Sequence, residues 1–308
     1  MHEPTHRSGF ACFVGRPNAG KSTLTNAIVG QKIAIATSKP QTTRHVVRGI
    51  VTRDDGQLIL IDTPGLHKPR TLLGERLNTL VYDTWGEVDI IGVCLPANEK
   101  IGPGDKHIIG EIAALTNRPI LVALVTKIDL VKKDRLLGHM AAVDALAEEL
   151  GVEWAEIVPV SATSGEQVDV VADVLLSLLP EGPKYYPDGE ITDEPEETLV
   201  AELIREAALE GVREELPHSI AVMIDEMIPR EDRPEDSPLL DVYASIIVER
   251  ESQKGIIIGH RGARLKEIGT AARVQIAKLL GTKVHLQLHV KVLKEWQKDA
   301  KHLGRLGF

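Results

Sequence analysis

An eight-residue glycine motif constrains the fold of this chain more than any other segment. Residues 15–22 read GRPNAGKS, which fits the phosphate-binding pattern G-x-x-x-x-G-K-S. Such a loop works between a strand and a helix, because its curled backbone and the N-terminus of the helix together direct N–H groups at a phosphate. The apolar run Phe10 to Val14 precedes the motif, and Leu24 to Val29 follows it with a helical pattern. The sequence therefore predicts an α/β domain with a nucleotide site after its first strand.

The motif predicts a role for its two last residues. Lys21 reaches the β and γ oxygens of a triphosphate, and the Ser22 hydroxyl is a ligand for Mg²⁺. The predicted nucleotide-binding residues of this loop are Gly15, Arg16, Pro17, Asn18, Ala19, Gly20, Lys21 and Ser22.

Apolar strand-like runs alternate with amphipathic helical stretches from Gly9 to Leu179. This alternation predicts a mostly parallel sheet with helices on both faces and ligands at the strand ends. We assign residues 9–180 to this nucleotide-binding domain.

An acidic, proline-rich segment follows at 181–197. Residues 180–197 contain four prolines, two glycines and seven acidic residues, a composition that predicts an extended and partly stiff linker. Helix and strand patterns resume at 198–293 and predict a smaller α+β domain, and residues 294–308 read as a basic tail. Trp296 in this tail is either an anchor to its own domain or part of a binding surface.

The charge is distributed unevenly along the 308 residues. The chain has a net charge of -9, but from Glu249 onward 13 Lys and Arg oppose 5 Asp and Glu, a net of +8. A basic C-terminal part suggests a polyanionic partner. No apolar run approaches the roughly 18 residues of a membrane span, and Cys12 and Cys94 lack metal spacing, so we expect a cytoplasmic protein with buried, reduced thiols.

Three further segments follow predicted strands and predict guanine as the base. Asp62 can hold the water shell of Mg²⁺, and the Gly65 amide can meet the γ-phosphate. The Asp129 carboxylate can accept two hydrogen bonds from guanine that adenine does not offer. Ser161 and its neighbours would close the pocket over the base by backbone N–H groups. The residues of these segments are Asp62, Thr63, Pro64, Gly65, Thr126, Lys127, Asp129, Ser161, Ala162 and Thr163.

Two residues depart from the usual motifs of guanine-nucleotide-binding proteins. Leu66 stands where many regulatory GTPases carry the glutamine that orients the attacking water, so we expect slow intrinsic turnover of GTP. Thr126 stands where the usual motif has asparagine and offers fewer hydrogen-bonding groups, so we expect retained choice of guanine with weaker affinity.

A second glycine loop, Gly259-His260-Arg261-Gly262, precedes a long helix pattern. Its glycines would let an RNA backbone approach closely, next to the N-terminus of that helix. This region resembles a type II KH domain, in which bases would lie between the Ala263 helix and the Leu240 to Arg250 strand, with Ile256, Ile257 and Leu265 as walls. The predicted RNA-binding residues are Lys254, Gly259, His260, Arg261, Gly262, Arg264, Lys266 and Arg273.

Residues 38–44, read as SKPQTTR, resemble the first switch of the Era family of bacterial ribosome-assembly GTPases, Ras-like proteins of the TrmE-Era-EngA-YihA-Septin class. The resemblance covers nearly the whole chain. It implies that a switch threonine, Thr43 by preference or Thr42, reaches Mg²⁺ with Ser22 and Asp62 when GTP is bound. It also implies that Asn18 can bind K⁺; the alternative is that Asn18 only braces the phosphate loop.

The resemblance further implies the partners. These are the 3′ end of 16S ribosomal RNA and the precursor of the 30S subunit, with no DNA, for a monomer that controls 30S biogenesis through its bound nucleotide. A peripheral fraction at the inner membrane belongs to the same expectation. The alternative is a nucleotide-gated RNA chaperone or membrane-associated stress and cell-cycle regulator in which hydrolysis is incidental.

Overall fold

A computed structural model of the chain describes residues 6–37, 39, 42–66, 69–212, 216–231, 233–234 and 237–308. The described residues divide into two compact units, one within Met1–Lys68 and Leu77–Asp193 and the other within Pro69–Arg76 and Glu194–Phe308. No helix in these ranges is both long and apolar enough to cross a bilayer.

The first unit contains a six-stranded sheet with helices along the chain between its strands. The strands are β1 (Arg7–Val14), β2 (Val47–Arg53), β3 (Gly56–Asp62), β4 (Ile90–Cys94), β5 (Ile120–Val125) and β6 (Glu156–Pro159). The helices are α1 (Lys21–Val29), α2 (Leu72–Glu87, in this unit from Leu77 onward), α3 (Pro103–Ala113), α4 (Lys133–Leu150) and α5 (Val168–Leu178).

The strand order β2-β3-β1-β4-β5-β6 places the first strand in the middle of the sheet. All neighbours pair in parallel except β2 and β3, which form an antiparallel hairpin. Every residue of β3 and β4 is buried, as expected for strands covered on both faces. The predicted fold class is confirmed, and the carboxyl ends of β1, β3, β5 and β6 meet at one edge.

The two cysteines are free thiols inside this sheet. Burial raises the pKa of the Cys94 thiol to about 12, and it raises the pKa of Cys12 as well. Both thiols therefore stay protonated and unreactive at neutral pH, as the sequence predicts.

Residues 181–193, here called the docked segment, lie against the first unit, which differs from the extended linker that their composition predicts. The buried side chain of Gln57 accepts hydrogen bonds from the backbone N–H groups of Tyr185 (2.8 Å) and Tyr186 (2.9 Å) and donates to the Tyr186 carbonyl (2.9 Å). Ile50 N donates to the Ile191 carbonyl at 2.9 Å, and Arg48 pairs with Asp193 at 3.2 Å. These bonds give hydrogen-bond partners to backbone groups of the docked segment, which belongs to no helix or strand predicted from the sequence.

The second unit is built on a three-stranded sheet of order β7-β8-β9. Its strands are β7 (Ala221–Pro229), β8 (Leu239–Val248) and β9 (Lys283–Val292), and its helices are α6 (Glu196–Leu209), α7 (Leu216–Ser219), α8 (Glu251–Ile258), α9 (Ala263–Leu280) and α10 (Ala300–Arg305). β8 pairs antiparallel with β7 and parallel with β9.

The basic tail is folded and packs within the second unit. Trp296 is fully buried, and its indole N–H donates to the Ser219 carbonyl at 3.1 Å. The ring of Phe308 stacks on it with centroids 5.8 Å apart. The structure therefore decides between the two predicted roles of Trp296 in favour of the anchor.

Candidate nucleotide site and RNA groove

The phosphate loop joins the end of β1 to the start of α1 and adopts a backbone that suits glycine. Gly15 and Gly20 have φ of 150° and 97°, and an added Cβ at Gly15 would lie 2.7 Å from the Cys94 carbonyl oxygen. Lys21 Nζ donates to the carbonyls of Gly15 and Arg16, both at 3.0 Å. Burial lowers the pKa of the Lys21 ammonium, so its charge is poorly compensated by the loop alone. This arrangement offers a cation and backbone N–H groups to an anionic ligand.

The three predicted Mg²⁺ ligands converge at this loop. Ser22 Oγ and Thr43 Oγ1 donate to Asp62 Oδ2 at 2.9 and 3.0 Å, and the two hydroxyl oxygens are 3.1 Å apart. Asp62 Oδ1 is buried and has no hydrogen-bond partner among the described residues. A buried carboxylate oxygen without a donor, beside two hydroxyls, is an oxygen-rich set that fits Mg²⁺ and its water shell.

The structure distinguishes the two switch threonines. Thr42 Oγ1 donates to the Lys39 carbonyl at 2.6 Å and lies 2.8 Å from Thr37 Oγ1, whereas Thr43 Oγ1 donates to Asp62. Ser38, Pro40 and Gln41 of the predicted switch lie outside the described residues. Arg44, the next residue, is 2% exposed, although a switch arginine is ordinarily solvated.

A cavity of about 400 Å³ is lined by the loop and the switch. Gly65 approaches Lys21 closely, since an added Cβ would lie 3.7 Å from Lys21 Nζ. Leu66 also lines the cavity and offers only an apolar side chain. Further lining residues are Pro17, Asn18, Gly20, Lys21, Ser22, Thr42, Thr43 and Lys127.

Four of the predicted base-recognition residues, Thr126, Lys127, Ala162 and Thr163, line a smaller cavity of about 60 Å³. Thr126 Oγ1 donates to the Ala19 carbonyl at 2.7 Å, so this hydroxyl braces the phosphate loop despite the departure from asparagine. The exposed Asp129 accepts a hydrogen bond from Ser161 Oγ at 2.6 Å, which orients its carboxylate.

The structure limits which backbone N–H groups can close this pocket over a base. The N–H of Ser161 donates to the Glu166 carbonyl at 3.0 Å, so the predicted closure falls to Ala162 and Thr163, which line the cavity, and it stays a prediction. Ser161 itself is fully buried, and its hydroxyl donates to Asp129. The sequence contained no signal for the return of the chain at Glu166.

The second glycine loop follows α8 and leads into α9. Gly259 has φ 70° and ψ 178°, a conformation restricted to glycine, and Gly262 is left-handed with φ 79°. His260 and Arg261 are exposed between them. Arg264 bonds to the Glu210 carbonyl and to Glu267 (3.4 Å), which ties this predicted phosphate contact to its own unit.

A groove of about 530 Å³ lies beside this loop, between α9 and β9. Its walls include Lys266 and Arg273 from α9 and Leu286 and Leu288 from β9. The sequence predicts β8 as the strand of the groove, but β8 is the central strand and β9 forms the edge beside α9. Of the three predicted wall residues, Leu265 lines this groove, Ile257 is fully buried and Ile256 is 55% exposed.

We expect Thr43→Ala to lower the rate of GTP hydrolysis on the order of 10²-fold, because it removes one preorganised group beside the phosphates. Thr42→Ala is the matched control and should change the rate by less than about threefold. Single-turnover hydrolysis at saturating GTP measures both. Equal losses in the two variants would contradict the assignment of Thr43.

Asp62→Asn should stabilise the nucleotide-free protein while removing its response to nucleotide. Burial raises the pKa of the Asp62 carboxyl, and the hydrogen bonds from Ser22 and Thr43 offset only part of the rise. The pKa of Asp62 is higher in the folded than in the unfolded protein, so the free energy of unfolding falls as pH rises from the unfolded to the folded pKa. Above the folded pKa the buried charge destabilises the protein in full. We expect the Tm of the variant at pH 8 to be higher by about 2 to 4 °C.

Thermal melts with and without Mg²⁺ and a GTP analogue measure this effect. The analogue should raise the Tm of the wild type and leave that of Asp62→Asn unchanged. Asp54→Asn, at the exposed β2–β3 turn, is the control and should behave like the wild type. A lower nucleotide-free Tm for Asp62→Asn would contradict the expectation.

The chain is similar to known proteins over its whole length. Residues 10–127 match the family described as 50S ribosome-binding GTPase, and residues 215–297 match the KH domain. GTPase Era of Streptomyces coelicolor is 67% identical over 306 residues, which cover 99% of this chain and 96% of that protein. GTPase Era of Mycobacterium avium is 67% identical over 302 residues, covering 98% and 99%.

Two solved structures share the fold at 36% identity and a TM-score of 0.90, each covering 98% of this chain and 99% of the other. One is Era in complex with MgGDPNP and nucleotides 1506-1542 of 16S ribosomal RNA, and the other is a variant of Aquifex aeolicus Era bound to GDP and AlF4-. With identity of this extent over both units, the chain belongs to the GTPase Era family.

Proposed function

We propose that this GTPase uses its nucleotide to control a grip on the 3′ end of small-subunit ribosomal RNA during 30S biogenesis. The observation that carries the proposal is the convergence of Thr43 with Ser22 and Asp62, because it connects a switch residue to the site that distinguishes GTP from GDP. The Era complex with nucleotides 1506-1542 of 16S ribosomal RNA supports the RNA partner.

We assign the two activities to separate segments. Residues 9–180 form the GTPase domain and residues 198–293 the KH domain, which the family matches at 10–127 and 215–297 support. The precursor of the 30S subunit, a monomeric state and a cytoplasmic location with a peripheral inner-membrane fraction belong to the same proposal.

The nucleotide site has a division of labour. Bound Mg²⁺, held by Ser22, Thr43 and Asp62, would neutralise charge on the β- and γ-phosphates. Lys21 and the loop N–H groups stabilise the same oxygens, and Gly65 N–H meets the γ-phosphate. Asp129, oriented by Ser161, accepts the hydrogen bonds of guanine, and Thr126 keeps the phosphate loop in place through the Ala19 carbonyl.

The attacking water requires an orienting group other than Leu66. We propose that K⁺, bound with the help of Asn18, supplies positive charge at the phosphates and raises turnover. The position of Asn18 supports this role, because the residue lines the 400 Å³ cavity and has a left-handed backbone conformation, φ 63°, within the phosphate loop. Equal turnover in K⁺ and Na⁺ would remove K⁺ from the mechanism.

The RNA contacts come from the second glycine loop and its groove. Lys254, His260, Arg261, Lys266 and Arg273 would donate to phosphates, and Gly259 and Gly262 keep the backbone accessible. Arg264 contributes by holding the loop to Glu210.

The deciding experiment compares the affinity of the full chain for an RNA of nucleotides 1506-1542 in the presence of a GTP analogue and of GDP. We expect tighter binding with the analogue, because RNA and GTP that favour one arrangement must strengthen each other. Equal affinities would contradict nucleotide control, and absence of binding in both states would contradict the RNA partner.

A further inference from the structure

Arg16, the second residue of the phosphate loop, is held by two carboxylates from the segment that follows β4. Its Nε donates to Asp105 Oδ1 at 2.8 Å, and its Nη2 lies 3.1 Å from Glu99 Oε2. The side chain of Asp105 is 1% exposed, and its other oxygen accepts the Gly102 N–H at 2.8 Å. The hydrogen bond to Asp105 raises the pKa of the Arg16 guanidinium. Asp105 is therefore a buried anchor at the start of α3, with both carboxylate oxygens hydrogen-bonded.

Glu99 has a second cationic neighbour in the guanine-recognition loop. Its Oε1 lies 3.7 Å from Lys127 Nζ. The same segment is fixed to that loop by its backbone, because Ala97 N donates to the Thr126 carbonyl at 2.8 Å. Glu99 thus lies between one residue that belongs to the phosphate loop and one that belongs to the base pocket.

The backbone of Arg16 supports the residue that holds the phosphates. Its carbonyl accepts Lys21 Nζ at 3.0 Å and Ala19 N–H at 3.2 Å. The stem of Arg16 packs tightly on α3, since an added Cβ at Gly104 would lie 3.0 Å from its Cδ. A side chain anchored in this way restrains the carbonyl next to it, and so restrains Lys21.

We propose that Asp105 and Glu99 are positioning residues of the nucleotide site. Asp105 restrains Arg16 and with it the turn of the phosphate loop, while Glu99 links that turn to Lys127. Together they keep the distance between the phosphate-binding and guanine-binding residues constant. This inference rests on the proposed roles of Lys21 and Lys127 toward the nucleotide.

The test uses the full-length protein with Asp105→Asn, Glu99→Gln, Arg16→Met and the double variant of positions 16 and 105. Two constants are measured with Mg²⁺: the dissociation rate of fluorescent GDP and the single-turnover rate of GTP hydrolysis. We expect Asp105→Asn to accelerate GDP dissociation about tenfold. Glu99→Gln should accelerate it about threefold, because its carboxylate is partly solvated.

The double-mutant cycle separates positioning from general stability. If Asp105 acts through Arg16, Asp105→Asn adds no further change to Arg16→Met. The matched control is Glu149→Gln in α4. It removes an exposed carboxylate 2.6 Å from Lys106, the neighbour of Asp105 in α3, and should leave both rates unchanged.

Three results would overturn the inference. They are additive effects at positions 16 and 105, a lowered Tm with unchanged nucleotide rates, and, should Asp105→Asn fail to fold, an unchanged GDP dissociation rate in Glu99→Gln. A wild type that does not bind GDP would instead remove the proposed nucleotide roles, which distinguishes the two failures.

Discussion

Lys21→Ala is expected to lower GTP affinity and hydrolysis by at least about 10²-fold, the largest effect at this site. Lys21 is partly buried, and its ammonium, whose pKa is lowered by desolvation, donates to the carbonyls of Gly15 and Arg16, so a bound phosphate would be its charged partner. Equilibrium binding of fluorescent GTP and single-turnover hydrolysis measure the loss. The matched control is Lys133→Ala, an exposed lysine at the start of α4, which should leave both unchanged.

The same variant separates the two functional hypotheses. If nucleotide controls RNA binding, Lys21→Ala should bind RNA with the same affinity in the presence of a GTP analogue and of GDP, and more weakly than the wild type with the analogue. Full RNA binding and normal 30S maturation in this variant would favour the RNA chaperone, for which hydrolysis is incidental. Wild-type GTP affinity in Lys21→Ala would contradict the site itself.

Gly259→Ala is expected to destabilise the second unit by about 3 kcal/mol and to abolish RNA binding. Alanine is excluded from φ 70° and ψ 178°, and its Cβ would lie 2.6 Å from Arg264 Cβ and 2.9 Å from Arg264 N. The backbone nitrogen at the start of α9 cannot move aside without displacing the helix.

Two other glycines are matched controls, because both are left-handed with nothing within 4 Å of an added Cβ. Gly262 precedes α9 with φ 79°, and Gly281 follows it with φ 64°. Substitution of either glycine by alanine should lower the free energy of unfolding by about 1 to 2 kcal/mol. Only Gly262→Ala should also weaken RNA binding, by about tenfold.

Hydrogen exchange of the α9 amides measures stability, and titration with the RNA of nucleotides 1506-1542 measures binding. A stability of Gly259→Ala equal to that of Gly281→Ala would contradict the close contact with Arg264. Equal RNA affinity of Gly262→Ala and Gly281→Ala would contradict the role of this loop.

Much of the nucleotide site is predictable from the sequence because each of its loops is local. A tight phosphate turn needs glycine at Gly15 and Gly20, and the residues Lys21 and Ser22 follow at fixed positions on the first turn of the helix. Alternating strands and helices then bring Asp62 and Asp129 to the same edge, since parallel strands point one way. The preference for Thr43 over Thr42 also agrees with the geometry, in which the Thr43 hydroxyl donates to Asp62.

The remaining features depend on pairs of residues that are distant along the chain. Gln57 reaches Tyr185 and Tyr186 across 128 and 129 positions and binds the docked segment, whose composition predicts an extended and partly stiff linker. Arg16 meets Asp105 across 89 positions, and neither residue belongs to a motif that predicts the other. The pairing of β8 with both β7 and β9 makes β9 the groove edge, which element order alone leaves undetermined.

By itself the sequence determined the fold class, the phosphate loop, the choice of guanine and the second glycine loop, because each is encoded by consecutive residues with special backbone or charge. Only the tertiary structure decided that the docked segment packs in the first unit, that the Ser161 hydroxyl bonds to Asp129, that Trp296 is an anchor and that β9 lines the groove. The physical reason is that a buried polar group needs a hydrogen-bond partner, and the strand order decides which distant residue is close enough to be that partner.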